Sequence, residues 1–174
     1  MDRAVIHKDD QLLEQRLSER IHGGPTGLVL IRLSLRVDSK PAALVVLVDA
    51  AVDSGLSHIE DQVDHRDIVA VTSSGLLAVA RPNLTAPAET EGLALRLRSE
   101  LERHIIVDNQ TTNYTISIGT AVSVKDDTAV DLFRYARHAL DDAQAMGGNR
   151  VTNFEDSDRA LLLPAKNTDH PGYW

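Results

Sequence analysis

The sequence contains no cysteine. Structural disulfides and thiolate metal sites are therefore excluded, and the composition suits a reducing compartment. Aromatic residues are scarce, with three Tyr, two Phe and one Trp. The core must be built from Leu, Val, Ile and Ala. Basic residues are the minority: 18 Lys and Arg against 26 Asp and Glu leave a net charge of −8 and a pI of about 5.3. A chain this acidic, with no basic stripe, does not suit binding to a nucleic-acid backbone. No run approaches the roughly 18 consecutive apolar residues of a membrane span. The opening MDRAVIHKDD lacks the apolar core of a signal peptide. Against these absences, 43% of the 174 residues are hydrophobic, which is enough for one compact domain. The expected setting is the cytoplasm, either alone or as the soluble part of a larger, membrane-attached protein.

The pattern along the chain predicts alternating elements. Leu12, Leu13, Leu17 and Ile21 recur at helical spacing from Asp9 to Ile21, and Gly23-Gly24-Pro25 ends that helix. Gly27 to Leu35, GLVLIRLSL, reads as a buried strand. Pro41 is placed to open a helix through AALVVLVDAAVDSGL, with a strand over Val45–Val48 as the alternative. Residues 60–67 read as a polar connection. AVTSSGLLAVARP, from Ala70 to Pro82, reads as strand, tight turn, strand. Pro87 introduces an amphipathic helix carrying Leu93, Leu97 and Leu101. Asp108–Asn113 is turn-like. Tyr114–Val122 is a strand in which Gly119 points to close packing or a bulge. Thr128 and Asp131 form a capping-box pattern before a helix that Gly147-Gly148 stops. RVTNF is a short last strand. The expected organisation is a domain over residues 1–154 and a mobile tail over 155–174, whose Leu161-Leu162-Leu163 either docks or stays disordered. The expected class is α+β, with helices on a mostly antiparallel sheet.

This order, and several phrases within it, resemble the diguanylate cyclase (GGDEF) domain. YTISIGTAV is similar to that family's T-x-S-x-G strand. DLFRYARHALDDAQAMGGNRV is similar to its closing helix and turn. AETEGLALRLRSEL suits its A-E-x-L-A-x-R-I-R helix, and RDIVAVTSSGLLAVARP its D-x-V-A-R-x-G-G-D-E-F hairpin. Asp2 to Leu13 agrees with the family's opening only in length and first residue. The resemblance spans about residues 2–154. It implies a palm like that of nucleotide cyclases. In that palm two subunits each hold one GTP, and two metal ions held by carboxylates help join them into cyclic di-GMP.

The departures from the pattern carry the functional expectation. The signature's Gly-Gly falls on Ser73 and Ser74, its metal-binding acid on Gly75, its next acid on Leu76 and its Phe on Leu77. The first-strand metal-binding Asp falls near Arg32, with Ser34 at the second Asp. No Asp or Glu occurs from His22 to Val37 or from Ile68 to Ala88, so these two segments supply no carboxylate to a metal. An Arg there repels Mg²⁺. On the phosphate side, the closing-helix Lys is Gln144, the Arg after the helix-ending Gly is Gly148, and Arg137 and Asp141 replace the family's Asp and Tyr. Asn149 and Arg150 remain. The guanine-contacting Asn falls near Lys40, while Asp49 matches the last Asp of that stretch. The inhibitory R-x-x-D falls on Asp64-His65-Arg66-Asp67, with its Arg replaced.

Plainer readings stand beside these. Ser73 and Ser74 lack the neighbouring base of a nucleophile and suit a simple turn. Strand alternation at Leu76 and Leu77 predicts one in the core and one exposed, the exposed one marking a partner surface. Asn149 and Arg150 suit a helix cap as well as a phosphate contact. His58 and His65 beside Glu60, Asp61 and Asp64 read as a solvated acidic loop. The expectation is a catalytically inactive GGDEF-like domain without metal or cofactor, acting as a regulatory or protein-interaction module in bacterial signalling. It would work with a protein partner or as a homodimer. The alternative is a receptor that binds GTP or cyclic di-GMP without turnover, with Asp49, Asn149 and Arg150 as vestigial contacts.

Overall fold

In the computed structural model the described residues are 5–35, 41–104, 114–155, 158–159 and 162. They form β1(Ile6–His7), α1(Asp10–Gly23), β2(Gly27–Leu35), α2(Pro41–Gln62), β3(Ile68–Val71), β4(Leu77–Arg81), α3(Ala88–His104), β5(Tyr114–Val122), α4(Ala129–Ala145) and β6(Val151–Asn153). The strands make one six-stranded sheet in the order β1-β3-β4-β2-β5-β6. The inner pairs β3–β4, β4–β2 and β2–β5 are antiparallel, whereas the outer pairs β1–β3 and β5–β6 are parallel. This is the expected α+β sheet, mostly antiparallel. Its parallel edge β1 is two residues long, too short to show a strand period.

Both faces of the sheet are covered. Val29, Ile31 and Leu33 of β2 pack with Ala51, Val52, Leu56 and Ile59 of α2 and with Leu93, Leu97 and Leu101 of α3. Leu28 and Leu30 pack on the other face with Leu13 and Leu17 of α1 and with Leu132, Phe133, Ala136 and Leu140 of α4. A strand buried on both sides needs apolar residues at every position, which is why GLVLIRLSL is nearly continuous. The Val-rich stretch after Pro41 is helical, not the alternative strand, and α2 runs on to Gln62 into the expected connection.

Local chemistry sets the helix ends. The Asp9 carboxylate accepts the Leu12 amide at 2.9 Å and caps α1. Thr128 and Asp131 make the reciprocal capping box of α4. At its other end the Gly148 amide reaches the Ala143 carbonyl at 2.9 Å and the Gly147 amide the Gln144 carbonyl at 3.0 Å. That is the Schellman closure, which favours the left-handed backbone of Gly147, φ +103°. Gly119 serves close packing: a Cβ there would lie 2.2 Å from the Leu140 amide nitrogen and 2.3 Å from the Ala136 carbonyl oxygen. Its absence lets the α4 backbone rest on β5.

Of the residues expected as a tail, Glu155, Asp158, Arg159 and Leu162 are described. Arg159 binds both carboxylate oxygens of Asp127, at 3.0 and 2.9 Å, and the Val122 carbonyl at 2.9 Å. It also lies over the Tyr135 ring, which stacks on Phe154 at 4.5 Å. Leu162 packs against the α1–α4 core. Residues 1–4, the turn expected at 108–113, Lys40, Leu161 and Leu163 lie outside the described residues.

Candidate functional site

Residues 72–76 join β3 to β4, with Ser73-Ser74-Gly75 at the tip. The Gly75 amide donates to the Thr72 carbonyl at 2.9 Å, the Thr72 amide to the Leu76 carbonyl at 2.9 Å, and the Leu76 amide to Thr72 Oγ1 at 3.0 Å. Gly75 sits at φ +81°, where a side chain is strained although nothing lies within 4 Å of an added Cβ. The glycine is thus required by backbone conformation, and the metal-binding acid implied by the resemblance would meet that strain here. Ser74 Oγ pairs with Thr72 Oγ1 at 2.9 Å.

One carboxylate does reach this turn, from a part of the chain that the strand count left out. Asp10, in the first turn of α1, accepts the Ser73 amide at 2.8 Å and the Ser73 hydroxyl. Both of its oxygens are engaged by one residue, and among the described residues no group of three or more His, Asp or Glu side chains is arranged to hold a metal. The sequence offers no signal for this contact, because the two residues are 63 positions apart.

The expectation that Leu76 or Leu77 is exposed is corrected. Each is 1% exposed. Leu76 enters the α1–α4 core and Leu77 the α2–α3 core. The alternation is real, but helices cover both sheet faces, so neither leucine is left for a partner.

In the second half of β2, one residue past the last β2–β4 pair, Ile31 with Leu77, stands Arg32. Its Nη1 donates to Oε1 of Gln144 on α4 at 2.6 Å. The two positions named as departures on separate grounds are therefore in contact. Arg137 and Asp141, one turn apart on α4, pair at 3.2 Å. Burial lowers the Arg32 pKa from the ordinary arginine value; Arg137 adds to the lowering, and Asp141 opposes it. In the β2–β5 register Arg32 lies opposite Ser117 and Ser34 opposite Thr115. Gly148, φ +73°, crowds the same patch: a Cβ there would come within 3.2 Å of Ser117 Oγ.

The remaining sequence candidates are dispersed. Asn149 is exposed at φ +53°, next to the glycines that close α4. Arg150 is exposed, with Nη1 3.4 Å from Met146 Sδ, and its carbonyl accepts the Ile118 amide at 2.9 Å. Asp49 is exposed on α2, in the helical layer opposite α4. Asp67 of the R-x-x-D position is buried and held by two bonds from Arg81, at 2.9 and 2.6 Å. Those bonds raise the Arg81 pKa. Asp64 is held down to a pKa of about 2, chiefly by its hydrogen bond from Arg66. Both carboxylates of the position are thus engaged within the chain. Two cavities, of about 650 Å³ beside Gly24 and Lys125 and about 570 Å³ beside Thr90 and Asn153, open at the other end of the β2–β5 ladder.

No family model matches the sequence, and no curated protein matches it. Solved structures do match the fold. The coiled coil and GGDEF domain of DgcB from Caulobacter crescentus, solved in complex with c-di-GMP, is 17% identical at a TM-score of 0.67, over 87% of this chain and 82% of that one. The GGDEF domain of TpbB (YfiN) from Pseudomonas aeruginosa is 20% identical at 0.68, over 93% and 97%. The diguanylate cyclase SiaD from the same organism, solved in complex with its activator SiaC, is 16% identical at 0.68, over 84% and 58%. The chain has the GGDEF-domain fold. Among the described residues no helix is long and apolar enough to cross a membrane.

Proposed function

We propose that this chain is a GGDEF-fold domain without cyclase chemistry, serving as a cytoplasmic regulatory or protein-interaction module in cyclic di-GMP signalling. The observation that carries the reading is Arg32. A cation bound to Gln144 stands near the position on which the resemblance puts the first metal-binding acid. Gly75, with its left-handed backbone, and the buried Leu76 and Leu77 occupy the signature positions. Hard divalent ions need oxygen anions to offset the triphosphate, and a guanidinium opposes them. Partner docking is supported by the neighbour SiaD, solved in complex with its activator. The test is incubation with GTP and Mg²⁺ or Mn²⁺, followed by chromatography of the products. Unchanged GTP is expected; a cyclic di-GMP peak would overturn the reading.

A second reading, a receptor for GTP or cyclic di-GMP without turnover, is favoured by the half-buried Arg32 with Arg137 and Arg150 on neighbouring segments. Asn149 and Asp49 are its further candidate contacts. Ligand at 100 times its dissociation constant would add about 2.7 kcal/mol to stability. A thermal shift with either nucleotide measures this, and no shift at millimolar ligand removes the reading.

A further inference from the structure

We infer that Asp127, the Val122 carbonyl and the stacked rings of Tyr135 and Phe154 form a guanidinium-binding site, closed in this chain by its own Arg159, and that an arginine-bearing segment of a protein partner opens it by taking the place of Arg159. The inference deepens the interaction-module reading and rests on it. The groups that hold Arg159 are electron-rich. Its Nη1 donates to both carboxylate oxygens of Asp127, at 3.0 and 2.9 Å, and its Nη2 to the Val122 carbonyl at 2.9 Å. Its Cζ lies 4.6 Å from the Tyr135 ring centre and 5.9 Å from that of Phe154, and the two rings stack at 4.5 Å. A planar cation meets such a site with its N–H donors and its face together, whereas an ammonium matches the charge alone. The site is also fixed by groups other than Arg159. The Val124 amide holds Asp127 Oδ2 at 2.8 Å, Val122 ends β5, and Tyr135 is buried on α4.

Arg159 can leave more easily than the groups that hold it. It stands past the last strand, on a short turn in which the Asp158 amide meets the Glu155 carbonyl at 3.0 Å. Among the described residues of that segment, the other side chain packed on the core is the half-buried Leu162. A segment so lightly anchored opens locally at low cost. Opening alone, however, strands Asp127, whose side chain is 10% exposed. A buried carboxylate without its cation is costly, and a second guanidinium removes that cost. Opening is therefore coupled to the arrival of an arginine. Two open cavities bracket the site. The one of about 650 Å³ has Asp127 in its wall, the one of about 570 Å³ has Val122 and Phe154, and the exposed Val124 lines both. A segment with contacts in both cavities presents its arginine between them. Those contacts matter, because Arg159 competes at an effective concentration on the order of millimolar. The cavity walls carry exposed Glu91, Asp126 and Glu155 against Lys125, in a chain of net charge −8, which suits a basic segment.

The test is chemical rescue and titration on the full chain. Arg159→Ala should unfold at a lower temperature than the wild type. Ethylguanidinium, which replaces the missing end of the side chain, should recover part of that loss. Ethylammonium should not, and neither cation should rescue the double variant Arg159→Ala/Asp127→Asn; the wild type controls for any general effect of the salts. In the titration, a synthetic peptide of residues 155–163, EDSDRALLL, is the arginine probe. It should bind Arg159→Ala about tenfold or more tighter than the wild type, where Arg159 competes within the chain. The same peptide carrying Arg159→Lys should bind more weakly. If Arg159→Ala does not fold, the variant Arg159→Lys, which keeps the charge and loses the planar fork, takes its place in the titration with the same expectation. No rescue selective for guanidinium in a folded Arg159→Ala, no peptide binding, equal binding to variant and wild type, or a lysine peptide as tight as the arginine one would overturn the inference and leave the interaction-module reading standing. Cyclic di-GMP formed by the wild type from GTP and Mg²⁺ would overturn that reading itself.

Discussion

Arg32 on β2 donates a 2.6 Å hydrogen bond to Gln144 on α4, across 112 residues of chain. The bond ties the polar end of a central strand to the last turns of the helix packed over it. It also explains why two departures from the family pattern occur together. A lysine at 144 would set another cation, besides Arg137, against a half-buried guanidinium, whereas glutamine offers an acceptor. Gln144→Lys should therefore lower stability by about 1–2 kcal/mol, and Gln144→Glu should not. Urea denaturation of the two variants measures the difference; equal midpoints would remove the argument.

Leu76 and Leu77 are adjacent in sequence but belong to cores on opposite faces of the sheet. Each Leu→Ala variant should cost about 2–5 kcal/mol. Leu95→Ala, at a site 50% exposed on α3, should cost about 0.5 kcal/mol or less. A mild effect at either hairpin leucine, read by chemical denaturation, would contradict the two-sided burial.

Asp67 and Arg81 form a two-bond pair with side chains 1% and 18% exposed. Removing one partner strands the other charge. Asp67→Ala should cost about 3–5 kcal/mol, and the double variant Asp67→Ala/Arg81→Met should recover part of that loss. A double-mutant cycle with no coupling would show that the pair holds nothing.

Acid should expose two further carboxylates. Asp64 is lowered to about 2, first by its side-chain bond from Arg66, and Glu89 is lowered, first by its bond from the Thr85 hydroxyl and then by backbone amides. Their folded pKa values lie below the unfolded ones. Each therefore contributes stability that is complete above the unfolded value, near 4, and is lost as pH falls through the folded value. Stability profiles from about pH 5 down to about pH 2 should slope less in Asp64→Asn and Glu89→Gln than in the wild type. Superimposable profiles would contradict the assignment.

Much of the fold was legible because its signals are local. The Thr128–Asp131 capping box, the Gly147-Gly148 stop and the apolar run of β2 each lie within a few residues, and each forms the expected feature. What escaped has physical causes. β1 exists through its pairing with β3, not through any pattern of its own. The Val-rich start of α2 reads equally as strand or helix by composition. The expected exposure of one hairpin leucine failed because strand alternation says which face a residue takes, not whether that face is covered. The polar residues now grouped at the Arg32 end come from β2, β5 and α4, and nothing near any one of them names the others.

By itself the sequence determined what these segments cannot supply. No acid stands in His22–Val37 or Ile68–Ala88, and no cysteine stands anywhere; absences of this kind survive any folding. It also determined the caps and the turn glycines, whose energetics act over a few bonds. Only the tertiary structure decided which distant groups meet: Asp10 with Ser73, Asp67 with Arg81, Arg159 with Asp127 and Arg32 with Gln144. Those pairings follow from sheet order and from the laying of α1 and α4 on one face and α2 and α3 on the other. Long-range burial and register set them, and a side chain's charge or hydroxyl alone does not say what it will be folded against.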